Sequence, residues 1–157
     1  MTLDPEHFRR RLLKAFPPEP FFGDVSTHDE CDEGIDLRRT LPSKSWDQIP
    51  TAFVDFNSGS LPLLEPKALV AFLPAWLLRS RETLSDESVL AEFTMYFLCP
   101  GNKDDGWREK DIEELVRLFN PAQRSVVCDF LQAIVEDEKL RYWHAQARFG
   151  LTRWGAV

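Results

Sequence analysis

Eleven consecutive residues, Ala68 to Leu78 (ALVAFLPAWLL), carry no charge, and a proline sits among them. They close a longer apolar stretch, Leu61 to Leu78, that any fold of this chain must cover. Read at helical pitch from Pro66 to Glu82, the segment has one small or polar lane, Lys67, Ala71, Ala75 and Arg79, and apolar residues in most other directions. A helix apolar on most sides is enclosed by neighbours rather than laid on a surface. Pro74 removes the bond to the carbonyl of Val70 and is expected to bend the helix inside the core. The uncharged run falls well short of the ~20 residues that a bilayer span requires, so a buried axis is the better reading.

The remaining segments supply helices to surround that axis. Asp4 before Pro5 is a helix start, with Phe8, Leu12 and Phe16 on one side and Pro17, Pro18 and Pro20 as the stop. Thr27 and Glu30 read as a capping box, placing a helix start near His28 with Cys31 and Ile35 on its inner side. Ser45 to Gln48 is a second capping arrangement, with Phe53 and Phe56 as the anchors of the helix that follows. Ser85 is placed as the cap of a helix whose apolar side holds Val89/Leu90, Phe93 and Tyr96/Phe97, ended by Pro100-Gly101; a strand over Phe93 to Leu98 is the alternative. Asn102 to Gly106 reads as a polar loop, and Ile112, Leu115/Val116 and Phe119 mark a further helix. Asn120-Pro121-Ala122-Gln123 opens the last one, which is read as running on to Tyr142 and Trp143 and ending at Gly150, with Trp154 folded back onto the domain.

With 157 residues and 43% hydrophobic content, the chain suits one domain with one core. The net charge of −7 opposes general nucleic-acid binding, which needs an excess of bases. It favours a basic partner instead. Residues 84–138 hold 13 acids against 5 bases, whereas the last 19 residues hold four bases and no acid. The three cysteines, Cys31, Cys99 and Cys128, form no CxxC pair and read as free thiols of a reducing compartment. The charged N-terminal stretch lacks the apolar core of a signal peptide, so a cytoplasmic location is expected.

Tempting motifs fail on spacing. A calcium loop over Asp29 to Thr40 would put Cys31 third and Thr40 last, where a bidentate Glu is required; one over Gly101 to Ile112 fails at both ends. His7, His28 and His144 are scattered and give no zinc spacing with a cysteine. There is no GxSxG, P-loop or GxGxxG. No catalytic residue, cofactor or metal ligand is therefore assigned.

Two stretches carry a resemblance. LLEPKALVAFLPAWL followed by LFNPAQRSVVCDFLQAI, after an upstream Asp-Glu-Cys and Trp46, resembles a family of small uncharacterised bacterial proteins. That family is marked by a Leu/Pro-rich central helix and a later Phe-x-x-x-Gln helix start, here Phe119 to Gln123. The resemblance covers Phe16 to Val135 and carries no catalytic residue to this chain. By analogy with other small acidic cytosolic proteins, it implies an immunity-type role.

The expectation is thus an all-α fold: one compact helical domain over residues 1–157, of about six helices, around a buried Pro-containing central helix. Its function is expected to be non-catalytic binding of a protein with a basic surface, most plainly a toxin neutralised by an immunity protein. The acidic surface of Asp29, Glu30, Asp32, Glu33 and Asp36, with Asp104 and Asp105, would meet that partner, and Trp107 would be its exposed anchor. Alternatives are a ligand-binding protein or enzyme with a pocket at the Pro74 bend, and a structural or regulatory homo-oligomer.

Overall fold

A computed structural model of the chain describes residues 4–86 and 88–155. Among them are eight α-helices: α1 Pro5–Ala15, α2 Asp32–Thr40, α3 Thr51–Phe56, α4 Pro66–Glu82, α5 Val89–Leu98, α6 Glu109–Val116, α7 Pro121–Glu136 and α8 His144–Trp154. The sole sheet among the described residues is a two-stranded antiparallel hairpin, β1 Gly101–Asn102 and β2 Gly106–Trp107. The fold is all-α, with more and shorter helices than the six read from spacing.

Helix α4 is the buried axis, with its two ends where the sequence places them. Leu69, Phe72, Leu73, Trp76 and Leu77 are all buried; Pro66, Lys67 and Glu82 at the two ends are exposed, and Val70, Ala71, Arg79 and Arg81 are half-buried. The helix continues through Pro74, which is itself buried. Around it pack α1, α3, α5 and α7, and α8 packs in turn along α7. Ser80 on α4 donates its hydroxyl to Thr94 on α5 at 2.8 Å, which satisfies a polar pair buried between the two helices.

Four capping predictions hold as written. The Asp4 carboxylate accepts the N–H of His7, and Asn120 with Gln123 closes a reciprocal capping box. At Ser45 the Gln48 side chain accepts the backbone N–H at 3.0 Å while the hydroxyl donates to Asp47, and Pro66 occupies the first position of α4.

The carboxyl ends of the helices are held by side chains from distant segments. The last carbonyls of a helix have no partner within it. Trp46 Nε1 donates to the carbonyl of Phe16 at the end of α1, at 2.8 Å. Trp76 Nε1 donates to that of Asn57 at the end of α3, at 3.1 Å. Trp154 Nε1 donates to that of Leu98 at the end of α5, at 2.9 Å. Each tryptophan thus buries its ring in the core and spends its one donor on an orphan carbonyl.

Several expectations need correction. Helix α2 begins at Asp32 rather than near His28. Cys31 is its N-cap, the sulfur accepting the N–H of Gly34 at 3.3 Å, while Ser26 Oγ accepts the N–H of His28. The chain folds back so closely that a Cβ on Gly34 would strike the backbone carbonyl of His28. The inner side of α2 is therefore Gly34, Leu37 and, just beyond it, Leu41, with Cys31 and Ile35 exposed. Phe53 anchors α3 edge-on to Trp76, but Phe56 stands in solvent.

Ser88, not Ser85, caps α5, accepting the N–H groups of Leu90 and Ala91. The segment is helix, not strand, and its buried side is Leu90, Ala91, Thr94, Met95 and Leu98 rather than the larger aromatics. Small Ala91 and Thr94 admit the close approach of α4, which the bulkier Phe93 and Tyr96 would block. The last long helix is broken as well. Asp137 is extended and caps a 3-10 turn over Glu138–Trp143, and α8 then runs through Gly150 to Trp154. Gly150 is interior because α8 presses against the end of α5: a Cβ there would collide with the Cys99 sulfur.

Candidate binding groove

Helices α5 and α6 diverge from the entrance of α4 and leave a cavity of about 610 Å³ between them. Its floor is Leu61, Leu64, Pro66 and Leu69, and its walls are Phe93, Tyr96 and Phe97 on α5 and Asp111, Glu114 and Leu115 on α6, with Leu118 beyond. Eight large hydrophobic residues are exposed among the described residues. Four of them border this groove or continue its α5 row: Val89 (58%), Phe93 (48%), Tyr96 (42%) and Leu118 (39%). Val89, Phe93 and Tyr96 are four and three residues apart, so they form one row along the helix.

Both walls rest on α8. Trp154 ties the end of α5 to it, and Gln146 reaches from α8 to the carbonyls of Cys99 and Gly101, at 2.8 Å for the latter. Trp107, at the end of the hairpin, lies flat on Phe149 with ring centroids 4.2 Å apart and planes 7° apart. Arg153 stands 5.3 Å from the centre of the same Phe149 ring and pairs with Glu109 at the start of α6, at 2.8 Å. Trp107 is thus a half-buried clasp and not the exposed anchor expected of it.

At the groove mouth, Arg108 pairs with Asp111 at 2.5 Å. Glu114 is exposed and has no ion pair among the described residues. Helix α6 carries Glu109, Asp111, Glu113 and Glu114 against Lys110; Arg153 and Arg108 pair the first two, so Glu114 is the acid that lines the groove without an ion pair among the described residues.

The other acids lie elsewhere. Asp29, Glu30, Asp32 and Glu33 are exposed around the start of α2, and Asp36 is half-buried on its second turn. Asp104 and Asp105 are exposed at the hairpin tip, where their N–H groups close onto the Asn102 side chain. Those bonds stay within the hairpin, and none joins it to α2. Pro74, midway along α4, lines neither the groove nor two smaller cavities of about 400 and 100 Å³; the groove lies at the first turns of α4, and only the 100 Å³ cavity comes near the proline, through Ala75.

Of the three free cysteines, Cys31 is exposed, Cys99 is buried and Cys128 is half-buried. Burial pushes the Cys99 thiol up to about 12, with a smaller contribution from nearby Cys128, which leaves it protonated. Burial also raises the Cys128 thiol. His144 spends Nε2 on the carbonyl of Asp137, 2.9 Å away. Among the described residues, no group of three or more His, Cys, Asp or Glu side chains is placed to hold a metal ion. No described helix is long and apolar enough to cross a membrane.

Spacing alone places Phe93 and Tyr96 on the inner side of the helix, and this hides the groove from the sequence. The signal was present in VLAEFTMYFL, which is apolar on two sides and cannot bury both against a single neighbour. No family model, no curated protein and no solved structure matches the chain.

Proposed function

We propose that the protein is a non-catalytic binding protein that holds a basic protein partner in the groove between α5 and α6. The observation that carries this reading is the exposed row of Val89, Phe93 and Tyr96 beside an acidic wall. Monomeric proteins rarely leave such contiguous apolar patches uncovered, and aromatic residues within an acidic rim suit a partner of opposite charge. The acids around α2 add a long-range field that speeds encounter rather than contacts that hold the partner. In its finer form this is an immunity protein, and the partner is a toxin with a basic face.

The test compares tagged full-length protein with two variants in the native host. A Phe93→Glu/Tyr96→Glu variant alters the groove, and an Asp32→Lys/Glu33→Lys variant alters the α2 field. The reading predicts a stoichiometric partner that the groove variant loses and the α2 variant retains more weakly. Where that partner is a toxin, its co-expression with the wild-type protein restores growth and its co-expression with the groove variant does not. Equal recovery of the partner by the groove variant would contradict the reading.

A further inference from the structure

We infer that the occupant of the groove is an amphipathic α-helix of the partner, apolar along one face and flanked by lysine or arginine. This rests on the protein-binding reading above and specifies its partner. The row of Val89, Phe93 and Tyr96 extends over eight residues of α5, roughly 10 Å at helical rise. An opposing helix with apolar residues at i, i+3/i+4 and i+7 presents the matching row, and two helical walls over an apolar floor form the trough that such a helix enters.

Charge selects its flanks. Glu114 lines the trough without an ion pair among the described residues, and the rest of α6 is predominantly acidic. A second copy of this chain is a poor occupant, because a twofold contact would set one acidic α6 against another on chains of charge −7. An extended segment is also disfavoured. Adding a strand needs a sheet edge, and the sole sheet among the described residues has strands of two residues.

The test is a selection of random 16-residue peptides displayed on phage, against the full-length protein and with counter-selection on a Phe93→Glu variant. Enriched sequences are expected to repeat apolar residues at helical spacing and to carry net positive charge. A synthetic peptide of the enriched sequence should lose about tenfold or more in affinity for Phe93→Glu, as for an aromatic hot spot. It should lose less, but measurably, for Glu114→Lys, and should fail to bind when a central proline breaks its helix. Enrichment of acidic or proline-rich extended sequences, or of none that depend on Phe93, overturns the helical occupant. If the groove variant nevertheless loses its cellular partner, the protein-binding reading stands and only the helical occupant falls. If the cell supplies no partner, the reading itself fails.

Discussion

Trp154 donates its indole N–H to the carbonyl of Leu98, 2.9 Å away and 56 residues earlier in the chain. The bond fixes the end of α5, one wall of the groove, to α8, which also carries the clasp on Phe149. Replacing Trp154 with Phe keeps most of the buried ring and removes the donor. Leaving a buried carbonyl unsatisfied costs about 1–3 kcal/mol, and the smaller ring adds to the loss. Urea unfolding should show that destabilisation, and amide exchange should accelerate first at the end of α5.

Gly150 tests the close approach of α8 to α5. A Cβ at this position meets the Cys99 sulfur, so Gly150→Ala is expected to destabilise the protein by about 1–3 kcal/mol despite the better helix propensity of alanine. In a Cys99→Ala background the sulfur is gone and the Leu131 methyl, 3.0 Å from the added Cβ, is the one tight contact left, so the same substitution should cost less. Thermal unfolding of the four chains of this cycle measures the coupling.

Asp129 gives the pH dependence. Arg11 Nε lies 3.0 Å from Asp129 Oδ2 but without hydrogen-bond geometry, and burial outweighs its attraction and raises the carboxyl above its ordinary value. The folded state therefore holds this proton more tightly than the unfolded one. Its contribution to stability is largest at acid pH and falls as pH rises from the ordinary carboxylate value through the raised one. Asp55 behaves oppositely, because Arg79, at 2.8 Å and 2.9 Å from its two oxygens, lowers it. Its contribution is present above the ordinary value and is lost as pH falls through the depressed one. Unfolding curves across the acid range should lose the first trend in Asp129→Asn and the second in Asp55→Asn.

The sequence made α4 legible because its signals agree: Pro66 at the start, apolar residues on most sides and a charged end at Arg79 to Glu82. Asn120 to Gln123 was legible for the same reason, as a complete local cap. The errors fell where a tertiary contact chose between local options. Ser85 and Ser88 are both sound caps, and packing of Leu84 selects the second. Leu90 and Phe93 are both sound core residues, and the closeness of α4 selects the side with Ala91 and Thr94. The groove was hidden by that choice, since it is made of the residues that packing left outside.

The most direct measurement of the central claim is photo-cross-linking in the native host from a reactive amino acid placed at Phe93 and, separately, at Phe22, which is also exposed but lies outside the groove. The account predicts a single basic protein captured from Phe93 and not from Phe22, with capture abolished by Tyr96→Glu in the same chain. Capture of that protein from Phe22 or from the α2 acids, with none from Phe93, would contradict it.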